Sequence, residues 1–448
     1  MIEVWLPVTG WTGRFLGRGN GGFGGSFDYA GMAKALFYGY ATASTDTGHT
    51  GTVTDASWAL GHPQKVADFG YRAVHEMTLS GKAVVLDYYG LAPHYSYFDS
   101  CSNGGREALI EAQRFPLDYD GILAGDPANN WSHLMSKGVV DAQALLLNSS
   151  SYISPNKTPA IASAVLATCN AGVTTQYLND PSQCKFNPST MLCRGAETDQ
   201  CLTQSEITTL SKIYASAYDA TNLLVFPGLL PGGEDGQNGW SSWITGSAPG
   251  KSGMFSYIQG YFKNMVYQNP NWDFRTFTLD QGLKDAIART GSNLDANSPN
   301  LSVFASRGHK LILYQGWDDP AISPQSTINY YNSVVTFLGT ASAAATSRLY
   351  MVPGLQHCWG GPGPTNFGQA GPGPNTVAFD SHHSIYKALE AWVEQRVTPQ
   401  QIITTGTVND TVLGTIQITR PLCAYPLIAK YKGTGDSTSA ANWACVAK

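Results

Sequence analysis

Short apolar runs alternate with longer amphipathic runs over the first 128 residues of the chain. The apolar runs predict strands and the amphipathic runs predict helices. The predicted strands are Val4–Pro7, Arg14–Gly17, Ala41–Thr45, Tyr95–Phe98 and Ile122–Ala124. The predicted helices lie near Tyr29–Tyr38, Pro63–Tyr89 and Gly105–Arg114. Alternating strands and helices of this kind predict an α/β domain with a largely parallel sheet.

The pattern changes between residues 129 and 307. This stretch contains four of the eight cysteines and many Asn, Ser and Thr residues, and it includes the turn-rich run Pro227–Asp235. No repeat of 20 to 50 residues is visible in the chain. We therefore interpret residues 129–307 as an inserted domain that interrupts the α/β pattern.

The α/β pattern resumes after residue 307. Lys310–Tyr314 and Arg348–Val352 are apolar runs that predict buried strands. His383–Arg396 predicts an amphipathic helix. Its apolar face would carry Ile385, Leu389, Trp392 and Val393. The sequence thus predicts one α/β domain built from residues 1–128 and 308–448.

Composition excludes several classes of protein. Charged residues make up only 13% of the 448 residues and aromatic residues 11%, which is too apolar for a disordered chain. The formal net charge of −5 argues against a nucleic-acid partner. No apolar run reaches about 18 residues, so we expect no membrane span.

The cysteine count favours an oxidising compartment. The eight cysteines are Cys101, Cys169, Cys184, Cys193, Cys201, Cys358, Cys423 and Cys445. An even count without a Cys-x-x-Cys zinc pattern suggests four disulfides, although eight buried free thiols are the alternative. We expect a secreted protein whose signal peptide is not present in this chain.

The segment Tyr97–Arg106 carries the clearest chemical signal. It reads Tyr-Phe-Asp-Ser-Cys-Ser-Asn-Gly-Gly-Arg, follows a predicted strand and opens a predicted helix. Small residues on both sides of Ser102 are typical of the sharp turn that presents a nucleophilic serine. The backbone N–H of Asn103 would then stabilise an oxyanion. An ordinary strand–turn–helix is the alternative for this segment taken alone.

Two later segments supply the partners that a nucleophilic serine needs. A predicted strand ends in Asp318 and Asp319, and another is followed by a loop that carries His357. The order Ser102, Asp319, His357 is that of the α/β hydrolases. His357 would take the proton from Ser102, and the acid would fix the histidine tautomer. Asp318 is the rival acid, and a structural loop histidine is the alternative for His357.

We predict that the other eight histidines are solvated or capping residues without a catalytic role. They are His49, His62, His75, His94, His133, His309, His382 and His383.

The glycine-rich turn Gly17–Gly25 also follows a predicted strand. It lacks the lysine or acidic ribose ligand that would complete a nucleotide site. In an α/β hydrolase, the turn after an early strand donates the second oxyanion N–H. We predict Gly22 as that donor, with Gly21 next.

These segments together resemble the tannase/feruloyl esterase family of α/β hydrolases. The resemblance rests on Arg14–Gly22, Gly39–His49, Trp58–His62, Cys101–Arg106 and His357–Gly363, and it covers most of the chain outside the insertion. It implies an α/β-hydrolase fold with a large inserted lid domain. It also implies a triad of Ser102, His357 and Asp319.

The resemblance implies a complete disulfide pattern. In the family, the cysteine before the serine is bonded to the cysteine after the histidine, which here gives Cys101–Cys358. The remaining cysteines would pair as Cys169–Cys184 and Cys193–Cys201 in the lid and as Cys423–Cys445 near the C-terminus.

Two features depart from the family. Members usually carry more chain upstream, so an edge of the sheet could be missing here. The family lid usually binds calcium through a run of aspartates, whereas the run from Cys169 to Leu178 has none. Calcium prefers several oxygen ligands with negative charge. We therefore expect neither a metal nor another cofactor.

The function implied is hydrolysis of phenolic-acid esters. Feruloyl esters rank first and galloyl esters second, and the family also includes hydrolases of terephthalate monoesters. The partner would be a small aromatic ester, free or attached to plant polysaccharide or polyphenol. The lid aromatics Trp240, Trp243, Tyr257, Tyr261, Phe262 and Trp272 offer stacking surface, although most would be core. A peptidase or acyltransferase and a non-catalytic phenol-binding protein are the remaining alternatives.

Overall fold

A computed structural model describes residues 1–170, 175–369, 377–407 and 416–448. Its strands are β1 (Ile2–Trp5), β2 (Arg14–Arg18), β3 (Ala41–Thr45), β4 (Tyr95–Cys101), β5 (Gly121–Gly125), β6 (Ala217–Tyr218), β7 (Leu224–Phe226), β8 (Lys310–Gly316), β9 (Ser347–Val352), β10 (Gln401–Thr407), β11 (Ile416–Cys423), β12 (Ile428–Tyr431) and β13 (Trp443–Val446).

The α-helices are α1 (Tyr29–Phe37), α2 (Pro63–Ala67), α3 (Ala73–Tyr89), α4 (Asn103–Arg114), α5 (Trp131–Leu146), α6 (Thr158–Cys169), α7 (Gln204–Tyr214), α8 (Trp240–Trp243), α9 (Gly253–Tyr261), α10 (Leu279–Ala286), α11 (Ser292–Leu294), α12 (Ser302–Ser306), α13 (Pro324–Leu338), α14 (Thr340–Thr346) and α15 (Ile385–Gln395). Three π-helical turns, Asp68–Arg72, Phe262–Val266 and Ile287–Gly291, each follow an α-helix directly. The short 3₁₀ helices are Ser57–Ala59, Ser149–Ser151, Pro155–Lys157, Pro181–Gln183, Pro188–Met191, Phe274–Thr276 and Ala440–Asn442.

The central sheet has seven strands in the order β1-β3-β2-β4-β5-β8-β9. Strands β2, β3, β4, β5, β8 and β9 run parallel, and β1 pairs with β3 in the antiparallel direction. Because the carboxyl ends of parallel strands meet at one edge, the residues that follow β4, β5, β8 and β9 come together there. This confirms the prediction of an α/β-hydrolase fold with a largely parallel sheet.

Apolar layers cover both faces of the sheet. Successive residues of a strand point to opposite faces, and β8 accordingly places Leu311 and Leu313 in one layer and Ile312 and Tyr314 in the other. The first layer is completed by α3, α4 and α13, and the second by α1 and α15. Both faces are therefore shielded by helices, as parallel sheets require.

The stretch between β5 and β8 is mainly helical and contributes to two apolar clusters, the first of which also includes Phe23, Trp58 and Phe69 from the α/β part. One is built from α5 and α9 with the π-helical turn that follows α9, and the other from α6 and α7 with Trp240. We call residues 129–307 the insertion. Its interpretation as a separate lid domain stays a prediction. Among the described helices, none is long and apolar enough to cross a membrane.

The four predicted disulfides are all present. They are Cys101–Cys358, Cys169–Cys184, Cys193–Cys201 and Cys423–Cys445. The last bridge joins β11 to β13 in a C-terminal region that the hydrophobic pattern did not divide into strands.

Candidate active site

Ser102 lies at the turn between β4 and α4 in a strained backbone conformation. Its φ is 67° and its ψ is −123°, a region that non-glycine residues seldom adopt. The turn depends on small neighbours, because a Cβ atom on Gly104 would collide with Ser100 and one on Gly105 would collide with the Gly125 carbonyl. The predicted elbow is therefore formed, and it holds Ser102 at the carboxyl edge of the sheet.

His357 follows β9 and reaches Ser102 across the sheet edge. Its Nε2 lies 2.8 Å from Ser102 Oγ, and its Nδ1 lies 3.0 Å from Asp319 Oδ2. Burial alone would lower the pKa of His357, but the Asp319 carboxylate outweighs burial and raises that pKa above its usual value. The three side chains thus have the arrangement in which a serine, a base and an orienting acid can act together.

Asp319 is held by donors from β8 and from the loop that follows it. Its Oδ1 accepts hydrogen bonds from the backbone N–H groups of Ala321 at 2.8 Å and Ile322 at 3.0 Å. Its Oδ2 accepts a further bond from Gln315 Nε2 at 2.9 Å. These bonds orient the carboxylate so that one oxygen faces His357.

The neighbouring acid is placed differently. Asp318 is buried, and neither of its carboxylate oxygens has a hydrogen-bond partner among the described residues. Burial, with a smaller contribution from the charge of Glu234, raises the pKa of Asp318 well above its usual value. The geometry therefore favours Asp319 over Asp318 as the partner of His357.

The sequence reasoning did not identify Asp126, which lies directly after β5. This fully buried carboxyl accepts hydrogen bonds from the Gly316 N–H at 2.7 Å and from the Cys358 N–H at 2.8 Å. Burial, reinforced by the nearby Asp319 charge, raises its pKa to about 8. Asp126 therefore links the end of β8 to the loop that carries His357.

The glycine-rich turn after β2 lies beside Ser102 in the same cavity, as the prediction required. Gly21 and Gly22 line this cavity together with Ser102. Gly22 has a φ of 55°, and a Cβ atom on it would collide with the Val53 carbonyl and the Tyr257 hydroxyl. Asn103 is the first residue of α4. The assignment of the Asn103 and Gly22 N–H groups as an oxyanion hole stays a prediction.

Glu107 is a second buried acid that the sequence reasoning did not identify. Its carboxylate accepts from the Asn20 N–H at 2.8 Å and from Asn103 Nδ2 at 3.0 Å. Burial raises its pKa to about 7. These bonds fasten the glycine-rich turn to the first residue of α4, so Glu107 fixes the position of the turn relative to Ser102.

The cavity above Ser102 has a volume of about 730 Å³. Two of the six aromatic residues singled out in the insertion, Trp243 and Tyr257, line it. The Trp243 and His357 rings lie 4.7 Å apart, edge to face, and the Trp243 and Tyr257 rings stack at 6.0 Å. The other four aromatics are buried in the apolar clusters, as the sequence reasoning anticipated for most of them: Trp240, Tyr261, Phe262 and Trp272.

The insertion is tied to the histidine loop by Asn238. Its Nδ2 donates to the carbonyls of His357 at 2.7 Å and Trp359 at 3.2 Å, and its Oδ1 accepts from Trp243 Nε1 at 2.8 Å. This network holds the Trp243 ring against His357.

His49 contradicts the prediction for the remaining histidines most clearly, and His75 and His309 are also partly buried and hydrogen-bonded. His49 is neither solvated nor a cap, because it is buried, stacks on Trp58 at 3.7 Å, and places Nε2 2.8 Å from the Phe23 carbonyl oxygen. Burial lowers its pKa. His49 therefore stabilises the glycine-rich turn itself, through Phe23, and takes no part in the Ser102 cluster.

The segment expected to hold calcium in the family offers a poor donor set. Residues 171–174 lie outside the described residues. The carboxylate of Asp180 pairs with Lys448 Nζ at 2.6 Å and accepts bonds from the Ser182 N–H and hydroxyl. Asn170 turns its Nδ2 donor group toward the carbonyls of Thr175 and Tyr177. The described residues of this segment therefore do not fit a calcium site.

Comparison with known proteins places the chain in a family. The family model described as "Tannase and feruloyl esterase" matches residues 1–446. An uncharacterized esterase of Xanthomonas campestris pv. campestris is 40% identical over 469 residues, which cover 99% of this chain and 81% of the relative. Feruloyl esterase B of Aspergillus niger is 32% identical over 451 residues, which cover 99% of this chain and 83% of the relative.

Solved structures agree with this result. Feruloyl esterase B from Aspergillus oryzae superposes with a TM-score of 0.91 at 29% identity, over 99% of this chain and 87% of that structure. The tannin acyl hydrolase from Aspergillus niger superposes with a TM-score of 0.78 at 24% identity, over 100% of this chain and 83% of that structure, and supports the fold. The chain belongs to the tannase and feruloyl esterase family of carboxylic ester hydrolases.

Proposed function

We propose that this protein hydrolyses esters of phenolic acids through a Ser102–His357–Asp319 triad and a covalent acyl-enzyme. The observation that carries the proposal is the continuous hydrogen-bonded chain from Ser102 Oγ through His357 to Asp319, which opens into an aromatic-lined cavity. A nucleophile, a base and an orienting acid at these distances are the elements of acyl transfer.

In the first half of the reaction, His357 Nε2 takes the proton from Ser102 Oγ while Oγ forms a bond to the ester carbonyl carbon. The carbonyl oxygen becomes an oxyanion, which the N–H groups of Asn103 and Gly22 would stabilise. The tetrahedral intermediate then breaks its bond to the alcohol oxygen. His357 gives that oxygen its proton, and the acyl group stays on Ser102.

In the second half, water replaces the alcohol. His357 takes one proton from the water, and the resulting oxygen nucleophile attacks the acyl carbon. The bond to Ser102 Oγ breaks, the proton returns from His357 to Oγ, and the phenolic acid leaves. The Asp319 carboxylate stabilises the imidazolium in both halves, which is consistent with the raised pKa of His357.

The aromatic acyl group would stack against Trp243 and Tyr257, the two insertion residues that line the cavity beside His357. Feruloyl esters are the first candidate substrates, because the Aspergillus relatives are named as feruloyl esterases. Galloyl esters are the second, because the family model joins tannases to feruloyl esterases. The natural substrate would be such an ester, free or attached to plant polysaccharide or polyphenol.

The four disulfides and the fungal feruloyl esterase relatives support a secreted enzyme. Catalysis as written uses only side chains, backbone N–H groups and water. We propose further that the protein works without the calcium ion of the family lid, since Asp180 is already paired with Lys448.

The test is steady-state hydrolysis of methyl ferulate, caffeate, p-coumarate, sinapate and gallate by the parent protein and by Ser102→Ala. We expect the parent to prefer one hydroxycinnamate ester, and we expect Ser102→Ala to lower kcat by about 10⁴-fold or more, as the loss of a triad nucleophile does elsewhere.

Ser306→Ala is the matched control, because Ser306 is an exposed serine at the end of α12. It should leave kcat within about twofold, which corresponds to about 0.4 kcal/mol of barrier. Thermal melting verifies that both variants fold. A parent that prefers methyl gallate would reassign the enzyme to the tannase type. Residual activity of folded Ser102→Ala within tenfold of the parent would refute the triad.

A further inference from the structure

His357 is the first residue of a strained turn in the backbone. The Trp359 N–H donates to the His357 carbonyl at 2.8 Å, which closes a turn of three residues centred on Cys358. Cys358 has a φ of 64°. A three-residue turn with a positive φ at its centre is the rare, strained form, and it persists only where contacts with the rest of the protein hold it. The backbone that carries His357 therefore depends on such contacts for its shape. We call residues 357–359 the histidine turn.

The α/β part of the protein holds the centre of the histidine turn. Asp126, directly after β5, accepts a hydrogen bond from the Cys358 N–H at 2.8 Å. Cys101, at the end of β4, is bonded to Cys358 through the disulfide. Both contacts act on Cys358 alone, so they leave the peptide groups on either side of it to other partners.

Asn238 holds the histidine turn from the side of the insertion. Its Nδ2 donates to the His357 carbonyl at 2.7 Å and to the Trp359 carbonyl at 3.2 Å. One amide group thus spans the strained residue Cys358 and fixes the carbonyls at both ends of the turn. Asn238 is 6% exposed, and hydrogen bonds shielded from water in this way are stronger than exposed ones.

Asn238 is itself fixed by its neighbours. Its N–H donates to Gln356 Oε1 at 3.1 Å, and Gln356 Nε2 donates in turn to the Asp235 carbonyl. Its Oδ1 accepts from Trp243 Nε1 at 2.8 Å. The side chain therefore uses both its donor group and its acceptor, a combination that an amide provides and that a hydroxyl or a carboxylate of similar size does not. Buried polar networks that are satisfied in this way specify one geometry.

We propose that Asn238 is a positioning residue of the reaction, which holds the histidine turn in the conformation that directs His357 Nε2 at Ser102 Oγ. The proposal rests on the function proposed above and gives the insertion a part in the chemical step. Nε2 lies 2.8 Å from Oγ, and the imidazole is attached to the first residue of the turn. A backbone rotation within the turn would therefore move Nε2, and a displacement of about 1 Å can cost about 10²-fold in rate.

The first test compares Asn238→Ala with Asn238→Leu, whose branched end has the shape of the amide but no polar atom. We expect kcat for a methyl hydroxycinnamate to fall about 10- to 100-fold in both variants, because His357 loses its fixed position. KM should stay within about threefold of the parent, since an interaction made only in the transition state affects kcat.

Gln143→Ala is the matched control. Gln143 also lies in the insertion, and its Nε2 donates to two backbone carbonyls, those of Phe274 at 2.8 Å and Phe277 at 2.9 Å. None of these three residues lines the cavity. Gln143→Ala should lower the melting temperature as the Asn238 variants do, but leave kcat within about twofold. Every variant is assayed well below its melting temperature and checked by circular dichroism.

The second test measures the reactivity of Ser102 without an ester. An ethyl fluorophosphonate has no aromatic ring to contact Trp243, and it labels a serine that a base activates. Its labelling rate should fall in Asn238→Ala by the same factor as kcat and stay at the parent rate in Gln143→Ala, with Ser102→Ala as the background. If the parent hydrolyses no phenolic ester but its labelling depends on Asn238 in this way, the positioning role stands and the proposed function fails.

Two results would overturn the proposal. If folded Asn238→Ala and Asn238→Leu retain kcat and labelling rates within about twofold of the parent, Asn238 stabilises the protein without positioning the base. If KM rises while kcat and the labelling rate stay unchanged, Asn238 acts on the cavity wall at Trp243 and not on His357.

Discussion

Replacing Asp319 with Asn should disable the proposed base by reversing the direction of one hydrogen bond. Asp319 Oδ1 accepts from two backbone N–H groups, those of Ala321 and Ile322, which cannot reverse. The Asn carbonyl oxygen must therefore occupy the Oδ1 position, and its NH₂ group must face His357 Nδ1. His357 would then carry its proton on Nε2 and donate to Ser102 Oγ instead of accepting from it.

The size of the expected loss of kcat follows from this change of tautomer. The corresponding change in a serine protease triad lowers kcat about 10⁴-fold, equivalent to about 5.5 kcal/mol of transition-state stabilisation. The new NH₂ group would also face the Gln315 amide, which now donates to Asp319 Oδ2. We therefore expect a lower melting temperature as well as a large loss of kcat, with a much smaller change in KM.

Asp318→Asn is the matched control, since it makes the same chemical change one residue earlier. Asp318 makes no hydrogen bond to His357, and burial, with a smaller contribution from the charge of Glu234, raises the pKa of Asp318 well above its usual value. Its replacement should leave kcat within about threefold. The assay is turnover of a methyl hydroxycinnamate with a melting curve for each variant. A larger loss in Asp318→Asn, or kcat within tenfold of the parent in folded Asp319→Asn, would refute the reasoning.

Three further predictions concern the disulfide beside the triad, the buried acid Asp126 and the dependence on calcium. Replacing Cys101 and Cys358 with Ala removes a bridge across 257 positions. The loss should cost up to about 5 kcal/mol of stability. It should also lower kcat about 10²-fold in protein that circular dichroism shows to be folded, because the bridge positions Ser102 against His357. Near-normal kcat would show that the bridge stabilises the fold but does not position these two residues. The pKa of Asp126 is raised to about 8, so the folded state retains this proton to higher pH than the unfolded state, and the contribution of Asp126 to stability declines from about pH 4 to pH 8. The melting temperature of Asp126→Asn should therefore lie below that of the parent at pH 5, and this difference should shrink by pH 8. A difference that stays constant would contradict the raised pKa. A chelator should leave the melting temperature unchanged, and a drop of several degrees that added calcium reverses would reveal a metal site.

Much of the fold could be predicted because its sheet is made of short apolar strands between amphipathic helices. The bounds of β3 are those expected, and β8 and β9 differ from the expected strands by one or two residues at an end. The expected single helix at Pro63–Tyr89 is instead divided by a π-helical turn at Asp68–Arg72. The hydrophobic period does not report such a turn, because one widened turn scarcely changes which residues face the core.

The C-terminal strands, in contrast, could not be predicted from the hydrophobic pattern. Strands β10 and β11 pair with each other outside the main sheet, and β12 pairs with β13. Strands β10 and β11 mix Thr, Gly and Pro with apolar residues, and β12 spans only four residues, so the alternation that predicts a strand is weak or short there. The bridge Cys423–Cys445 joins the two strand pairs, and it is not visible as a local pattern.

Residues with an obvious reactive atom could be predicted, whereas the groups that position them could not. Asp126 follows β5 in a segment, Asp-Pro-Ala, that is typical of an ordinary turn. Its role arises because the sheet order places β5 between β4 and β8, with β9 beyond β8. Only in that order can one carboxyl accept both the Gly316 N–H at the end of β8 and the Cys358 N–H beside His357. A residue that acts by holding two other loops has no local signature, because its partners lie 190 and 232 positions away in the chain. The same holds for Glu107, whose link between the glycine-rich turn and α4 exists only after β2 and β4 have paired.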